Sequence, residues 1–285
     1  MIVGMRILVT GQRGGVGAVV AGHLADQGHE VVGFDIADGQ DVLDAGALRR
    51  AAAGCSALVH LAALAHDSAG TPEQVMAVNV LGTWHALLAA QSAGVKRVVH
   101  FSSAQVFGTA EGERLPDYLP LDDAHPRRAG RPYGMSKLLS EDLCAGFSDR
   151  SGIGTICLRP VHVWFPEFYQ RAETRWQADP ASEWTPHWEF GAFVDARDVA
   201  AAVKCALAAP IEGHVRAVLC ADDIAASAPS MEMASRLTPG VPVRESDLYR
   251  ANPQRALVDC ATAKTVLGWQ PRHRWSGRGA LRAFD

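Results

Sequence analysis

Three glycines near the start of the chain constrain its fold more than any other feature. Gly11, Gly14 and Gly17 follow a short β-branched run at Arg6–Thr10 and precede the helical apolar spacing of Val16–Gln27. Glycine permits positive φ angles and lets the backbone come close to a bound group. The first turn of the following helix offers free N–H groups and the positive end of its dipole. A plain strand–helix turn would also explain the glycines, but the strand–turn–helix context favours a loop that binds phosphates.

The first half of the chain alternates strand-like and helix-like segments. Further strands are expected at Glu30–Phe34, Ala57–Leu61, Arg97–Ser102 and Thr155–Arg159, and helices at Ala45–Ala53, Pro72–Ala93 and Tyr133–Phe147. Such alternation predicts βαβ units with right-handed crossovers and a parallel sheet buried on both faces. The expected fold class is therefore α/β, a doubly wound parallel sheet (Rossmann fold) with a small C-terminal substrate-capping region.

The pattern changes after Pro160. We predict a dinucleotide-binding domain over residues 1–160 and the substrate-capping region over residues 161–285, with residues 192–220 returning to the sheet. The segment Trp164–Phe190 is rich in aromatic residues and has no clear period. It could line a pocket for an apolar or ring-shaped substrate, or form the hydrophobic core of the cap or a subunit contact. Short helices are expected at Ser230–Leu237 and Ala261–Leu267.

An acidic residue closes the second predicted strand. Asp35 can accept hydrogen bonds from both hydroxyls of an adenosine ribose and would repel a 2′-phosphate, so it favours NAD over NADP. Arg13, inside the glycine loop, points the other way because it could neutralise a 2′-phosphate, although it could equally be a solvent-facing loop cation. Asp41 and Val42 follow the second strand and are expected near the adenine.

Tyr133 and Lys137 are four positions apart, so a helix would place both on one face. The pair opens the helix after the fourth predicted strand, and Ser103 lies at the end of that strand. A nearby ammonium group, together with a positive nicotinamide ring, would favour phenolate and lower the pKa of Tyr133. Tyr133 could then take or give the proton of a substrate hydroxyl or carbonyl while a hydride moves to or from a nicotinamide. Ser103 could hydrogen-bond the same oxygen, and Lys137 could also hold the nicotinamide ribose.

Motifs along nearly the whole chain resemble those of the extended short-chain dehydrogenases/reductases, also called the NAD-dependent epimerase/dehydratase family. In chain order they are the glycine loop, Asp35, His60-Leu61-Ala62-Ala63, Asn79-Val80-x-Gly82-Thr83, Ser102-Ser103-Ala104-Gln105-Val106-Phe107-Gly108, Pro132-Tyr133-x-x-Ser136-Lys137, Leu158-Arg159-Pro160, Phe193-Val194-Asp195-x-x-Asp198-Val199-Ala200 and Leu267-Gly268-Trp269-x-Pro271. The resemblance implies NAD as cofactor and catalytic roles for Ser103, Tyr133 and Lys137.

The resemblance also assigns residues around the third predicted strand. It implies that Leu61, Ala62 and Ala63 wall the cofactor channel and that Asn79 supports that channel from the adjoining helix. Asn79 could instead simply tie neighbouring strand ends together. His60 is interpreted as a strand-end histidine without a catalytic role.

Three departures from the family pattern bear on the substrate. Ala104-Gln105 stand where dehydratase members carry an Asp-Glu pair, so the acid and base for water elimination are missing at that place. His162 replaces an Asn of the nucleotide-sugar members, and the segment Phe190–Phe193 lacks the Arg with which they grip a diphosphate. These departures favour free sugar acids, as in uronate dehydrogenases, over nucleoside-diphosphate sugars. The expected substrate contacts are Ser103, Ala104, Gln105, His162 and Trp164.

Composition limits the partners and the location of the protein. The formal net charge of -4 argues against a nucleic-acid surface. No apolar run reaches membrane-spanning length and the first residues do not read as a secretory signal, so a cytoplasmic protein is expected. The cysteines and histidines show no metal-ligand spacing, and no metal site is expected. Family members pair two long helices, so we expect a homodimer formed by Pro72–Ala93 and Tyr133–Phe147.

Three functional hypotheses follow from these observations. The first is an NAD-dependent oxidoreductase that acts on a secondary alcohol or carbonyl of a small, sugar-derived molecule. The second is a sugar or nucleotide-sugar epimerase that keeps NAD tightly bound and returns the hydride to the other face. The third is a non-catalytic, NAD-sensing regulator on the same fold, against which the joint presence of Ser103, Tyr133 and Lys137 argues.

Overall fold

A parallel sheet of six strands forms the centre of the protein in a computed structural model that describes residues 4–109, 112–178 and 190–275. Its strands are β1 Arg6–Thr10, β2 Glu30–Phe34, β3 Ala57–His60, β4 Arg97–Phe101, β5 Gly154–Pro160 and β8 His214–Leu219. They lie in the order β2-β1-β3-β4-β5-β8, and every neighbouring pair is parallel. The doubly wound α/β fold predicted from the sequence is confirmed.

Helices cover both faces of this sheet. They are α1 Gly15–Asp26, α2 Ala45–Ala52, α3 Pro72–Met76, α4 Gly82–Ser92, α5 Pro132–Ser151, α6 Pro166–Ala178, α7 Ala196–Ala208, α8 Ser230–Leu237, α9 Ser246–Ala251 and α10 Ala261–Val266. One face packs against α1 and α7, and the other against α2, α4 and α5. Successive strand residues point to opposite faces, so β1 sends Ile7 and Val9 into the first core and Leu8 into the second.

The predicted helix over Pro72–Ala93 is interrupted. A π-helical turn at Ala77–Leu81 separates α3 from α4, and Asn79 lies in it, buried. Such turns insert one extra residue into a helix and occur often at functional sites. The turn shifts the register of the helix where it passes the carboxyl ends of the strands.

Among the described residues after 160, one strand, β8, joins the main sheet. Two shorter strands, β6 Val163–Trp164 and β7 Val194–Asp195, form a separate parallel pair, and α7 connects β7 to β8. The division at residue 160 and the return of residues 192–220 to the sheet stay predictions. No helix in the described ranges is long and apolar enough to cross a membrane.

Candidate active site

A cavity of about 730 Å³ opens at the carboxyl ends of the central strands. The predicted site residues that line it are Gly11, Gly14, Gly17, Asp35, Asp41, Val42, Leu61, Ala62, Ala63, Ser103, Gln105, Tyr133, Lys137 and His162. Four other predicted residues, Arg13, Asn79, Ala104 and Trp164, lie outside this lining. The fold thus brings the glycine loop, the acidic ribose residue and the Ser–Tyr–Lys trio to one place.

The glycine loop owes its composition to close backbone packing. Gly11 has a φ of +74°, and a Cβ there would lie 2.6 Å from the Ala62 nitrogen. A Cβ on Gly17 would lie 2.0 Å from the Gly11 carbonyl oxygen. No side chain caps the first turn of α1, so its N–H groups are available to an anion. These features fit a pyrophosphate held by the backbone.

Asp35 is oriented by the backbone around it. Its Oδ2 accepts a hydrogen bond from the Arg13 nitrogen at 2.8 Å, and its Oδ1 accepts one from the Ala37 nitrogen at 2.9 Å. The Arg13 guanidinium instead pairs with Asp38 at 2.6 Å and is 61% exposed. The side chain of Arg13 therefore faces solvent, as in the second interpretation, and its predicted contact with the cofactor stays a prediction.

The adenine end of the cavity contains two residues that the sequence reasoning missed. Ile36 lines the cavity and is 70% exposed, and an exposed apolar residue directly after the ribose carboxylate could have indicated an adenine contact. Gln40 also lines the cavity, and its Oε1 accepts a hydrogen bond from the Asp35 nitrogen at 3.1 Å. Asp41 accepts from the Leu43 nitrogen at 2.9 Å, which fixes the turn beside Val42.

Ser103, Tyr133 and Lys137 meet at the inner wall of the cavity. Ser103 lies two residues after the end of β4, accepts a hydrogen bond from the Gln105 nitrogen at 3.2 Å, and its hydroxyl bonds to that of Tyr133. Tyr133 and Lys137 come from the start of α5, where both are buried. Lys137 Nζ donates to the Phe101 carbonyl at 2.7 Å and lies 5.7 Å from the centroid of the Tyr133 ring.

Burial shifts both ionisable groups of the trio towards their neutral forms. Burial raises the pKa of Tyr133 to about 12, although the Ser103 hydrogen bond acts in the opposite direction. Burial also lowers the pKa of Lys137 to about 8. The lowered phenol pKa expected beside Lys137 and the nicotinamide ring stays a prediction, and in the protein alone the pKa is raised. The cause is the loss of water around the phenol, which favours its uncharged form.

Asn79 and His60 support the site from beneath. Asn79 accepts from the Leu64 nitrogen at 2.8 Å and donates to the Leu64 oxygen at 3.0 Å and to Ser136 Oγ at 2.9 Å. It ties the loop after β3 to α5 and does not join strand ends, and it does not line the cavity. His60 bonds to Thr10 Oγ1 at 2.7 Å, and burial lowers its pKa to about 3. A neutral His60 agrees with the absence of a catalytic assignment.

The predicted substrate contacts divide into two groups. Gln105 and His162 line the cavity, and the buried Nδ1 of His162 has no hydrogen-bond partner among the residues that the structure describes. Burial lowers the pKa of His162, so its ring is neutral at pH 7. Ala104 is buried at the start of a 3-10 turn. Trp164 is fully buried and does not line the cavity, which corrects its assignment.

The aromatic segment supplies the core of the cap where the structure describes it. Trp164 packs 4.8 Å from Phe193 and 5.1 Å from Tyr169, measured between ring centroids. Phe165 instead lies against Gly15 at the end of the glycine loop. A Cβ added to Gly15 would be 3.1 Å from the Phe165 Cζ. The interpretation as a hydrophobic cap core therefore holds for Trp164 and Tyr169. Residues 179–189 of the predicted segment lie outside the described residues.

Relatives with curated functions include both dehydrogenases and epimerases. A uronate dehydrogenase from Pseudomonas syringae pv. tomato is 32% identical over 174 residues, which cover 57% of this chain and 60% of that protein. A UDP-glucose 4-epimerase from Streptomyces lividans is 33% identical over 177 residues, which cover 55% of this chain and 52% of that protein. The chain thus spans less than two thirds of the length of these relatives.

Solved structures match over more of the chain. A short-chain dehydrogenase/reductase superfamily protein from Agrobacterium tumefaciens, with bound NAD, has a TM-score of 0.70 and 27% identity and covers 94% of this chain and 93% of its own. A mutated uronate dehydrogenase has a TM-score of 0.63 and 26% identity and covers 87% of this chain and 85% of its own. The sequence model of the NAD-dependent epimerase/dehydratase family matches residues 7–220. With most of its length matched and the family's motifs gathered around one cavity, the chain belongs to the NAD-dependent epimerase/dehydratase family.

Proposed function

We propose that the protein is an NAD-dependent oxidoreductase that acts on a secondary alcohol or carbonyl of a small, sugar-derived molecule. One observation carries the proposal: Ser103, Tyr133 and Lys137 line the same cavity as the glycine loop and Asp35. A proton-transfer group and a dinucleotide cradle are the two parts that such a reaction needs.

The cavity fits NAD in shape and charge. The backbone at Gly11, Gly14 and Gly17 would hold the pyrophosphate, and the remaining lone pairs of Asp35 would accept hydrogen bonds from the adenosine ribose. Lys137 uses one N–H for the Phe101 carbonyl, which leaves its other N–H groups for the nicotinamide ribose. Leu61, Ala62 and Ala63 would wall the channel between these two ends.

The residues of the trio have separate roles in the reaction. NAD, when bound, supplies the hydride acceptor or donor. In alcohol oxidation Tyr133 Oη takes the proton of the substrate hydroxyl, and in carbonyl reduction it returns that proton. The Ser103 hydroxyl hydrogen-bonds the same substrate oxygen and holds it near Tyr133. The positive charge of Lys137 stabilises the phenolate that Tyr133 becomes when it gives up its proton.

The polar groups at the substrate end favour a hydroxyl-rich ring without a diphosphate. Of the described residues that line the cavity, Lys137 alone carries a positive charge. The N–H groups at the start of α1 would be used by the pyrophosphate of NAD, so a substrate diphosphate would need further cations to offset its desolvation. Gln105 and the neutral His162 can donate to and accept from hydroxyl groups. We therefore place a free sugar or sugar acid ahead of a nucleotide sugar.

An epimerase remains the second candidate, because UDP-glucose 4-epimerases resemble the chain as closely as uronate dehydrogenases do. The purified protein should be incubated with NAD and a panel of free sugars, sugar acids and UDP-sugars. The proposal expects NADH to accumulate with a free sugar or sugar acid. Conversion of a UDP-sugar into its epimer without net NADH would favour the epimerase, and NAD binding without any turnover would favour the regulator.

Asp35 should make the protein prefer NAD to NADP by about tenfold or more, since a 2′-phosphate would face its carboxylate. Asp35→Ala should narrow that gap, as measured by calorimetric titration of both dinucleotides. Arg13→Ala is the matched control and should change NAD affinity little, because the Arg13 side chain pairs with Asp38. Tighter binding of NADP by the unmodified protein would show that Asp35 does not select the ribose.

We also propose that two copies of the chain associate through α4 and α5. Leu139 on α5 is 39% exposed, and Leu81, at the start of α4, is 46% exposed. Light scattering at micromolar concentration should give the mass of a dimer, and Leu139→Glu should give a monomer. Val266→Glu, at an exposed apolar position on α10, should leave the dimer intact. A monomeric unmodified protein would contradict the proposal.

A further inference from the structure

Tyr133 lies in the first turn of helix α5, and the residue before this helix provides no side-chain cap. Its N-cap residue, Arg131, makes no side-chain hydrogen bond to the first turn, and Pro132 opens the helix. The N–H groups of a first turn need acceptors from outside the helix. Here the acceptor comes from the loop after β3, where Asp67 Oδ1 accepts from the Tyr133 nitrogen at 2.7 Å.

The same carboxylate is held by a second contact. Asp67 Oδ2 accepts from Arg131 Nε at 2.8 Å, and the two side chains are 23% and 38% exposed. Residues 61–65 line the cavity, and the loop that carries Asp67 follows them directly. A single side chain therefore links the wall of the cofactor channel to the backbone of Tyr133.

We propose that Asp67 is a positioning residue for proton transfer at Tyr133: it caps α5 from a distant loop, fixes the backbone of Tyr133 beside Ser103, and places a negative charge at the start of the helix. The inference rests on the proposed role of Tyr133 as the proton-transfer group. Asp67 is not part of the family motifs found in this sequence, and it does not line the cavity.

The charges around the phenol support this assignment. Burial is the main cause of the raised Tyr133 pKa, and the charge of Asp67 adds to it, while the Ser103 hydrogen bond acts against it. Lys137 lies one turn further along α5, with its ammonium group 5.7 Å from the Tyr133 ring centroid. Behind Lys137 stand His60 and His100, whose pKa values burial lowers, and the carboxylate of Glu141. Asp67 is thus the negative group that acts on the phenol itself.

Two charge-changing variants should move the pH profile in opposite directions. Asp67→Asn keeps an oxygen for the Tyr133 N–H but removes the charge, so the phenol should ionise more easily. In alcohol oxidation the rising limb of kcat/KM should shift down by roughly 0.5–1 pH unit. Arg131→Gln removes the countercharge of Asp67 and should shift the same limb up. Asp67→Ala loses both cap and charge and should lower kcat by about tenfold or more, with a smaller change in KM.

The measurements use the full chain saturated with NAD and the most active alcohol of the substrate panel. The ultraviolet absorbance of phenolate, taken as the difference between each variant and its Tyr133→Phe counterpart, gives a second reading that needs no turnover. If Tyr133→Phe abolishes the rising limb of the pH profile but Asp67→Asn leaves its midpoint unchanged, Asp67 has only a structural role. The inference about Asp67 is then wrong, while the proposed function stands. If Tyr133→Phe keeps full activity, the proposed function fails first. If Asp67→Ala does not fold, the opposite shifts of the other two variants decide.

Discussion

Replacing Tyr133 with Phe should slow the chemical step by roughly 10²–10⁴-fold, the usual contribution of a positioned general acid or base. NAD binding should be almost unchanged, because the ring stays and only the hydroxyl is lost. Tyr133 is 8% exposed and its hydroxyl bonds to Ser103, so the variant ring fits the same space. The rate of NADH formation and a calorimetric titration with NAD measure the two effects separately.

The pH dependence of turnover distinguishes this effect from a general loss of activity. In the protein alone, burial holds the Tyr133 pKa at about 12, and the positive charges of Lys137 and of the oxidised nicotinamide ring would lower it in the complex. Alcohol oxidation needs the deprotonated phenol, so the rate should rise with pH through that ionisation below about 10. The rise should disappear in Tyr133→Phe.

Tyr249→Phe is the matched control for this variant. Tyr249 is also buried, and its hydroxyl donates to the Ala256 oxygen at 3.2 Å, away from the cavity. Both substitutions remove one hydroxyl and one buried hydrogen bond, but only Tyr133→Phe should affect catalysis. Equal activity of the two variants and the unmodified protein would show that Tyr133 merely packs at the start of α5.

The strands and the dinucleotide cradle were predictable because their signals are local. β1 and β2 have the bounds expected from the sequence, since each is a run of mostly apolar residues that ends at a turn. The glycine loop lies between them, and Asp35 follows directly after β2. Order along the chain therefore fixes order in space at the sheet edge, and the residues meet without any long-range information.

Features that depend on packing between distant segments were not predictable. The hydrogen bond from the Tyr133 nitrogen to Asp67 joins the start of α5 to the loop after β3, and a helix cap is normally sought next to its own helix. The direction of the Tyr133 pKa shift depends on how completely the phenol is buried, which only the folded chain determines. Trp164 illustrates the same point, because an aromatic residue near a cavity can face it or turn into the cap.

Helix α7 was missed although the sequence carries a signal for it. Asp195 accepts a hydrogen bond from the Arg197 nitrogen at 2.8 Å as the N-cap, and apolar residues then recur at helical spacing through Ala196–Ala208. The prediction that residues 192–220 return to the sheet leaves no place for this helix. Helix α6, Pro166–Ala178, likewise begins at a proline, which is typical of a first helical position.

A buried network of ion pairs lies next to Ser102, and breaking it should have a large effect on stability. Arg159 on β5 donates from Nε and Nη2 to the two carboxylate oxygens of Glu141 on α5, each at 2.7 Å, and both side chains are fully buried. Arg159 Nη1 also lies 3.1 Å from Asp123 Oδ1. Ser102, the neighbour of Ser103, donates to Glu141 Oε1 at 2.7 Å. The network thus joins β4, β5 and α5 directly behind the proposed active site.

Arg159→Met should lower the free energy of unfolding by about 3 kcal/mol at neutral pH, the lower end of the range for breaking a buried ion pair. The lower end is expected because Arg127 and Arg216 remain 3.4 Å and 3.2 Å from Glu141. Urea denaturation measures the change. Arg250→Met removes an exposed pair with Asp247 and, as the control, should cost at most about 1 kcal/mol.

The stability difference between Arg159→Met and the unmodified protein should shrink as the pH falls. Burial alone would raise the pKa of Glu141, but the hydrogen bonds and charges of Arg159, Ser102 and Arg216 outweigh it and hold that pKa below its ordinary value of 4.5. The carboxylate therefore stabilises the unmodified fold above pH 4.5 and loses this contribution as the pH falls through the lowered pKa. Without Arg159 the pKa of the buried Glu141 should rise. Above this raised pKa the charged, poorly paired carboxylate lowers the free energy of unfolding of the variant, and below it the protonated carboxyl does not. Arg159→Met/Glu141→Leu should recover part of the lost stability, because the fully buried carboxylate is removed together with its main partner. A double variant as unstable as the single one would assign the loss to the packing of Arg159 over Phe107, 5.4 Å from its ring centroid, and not to the charge.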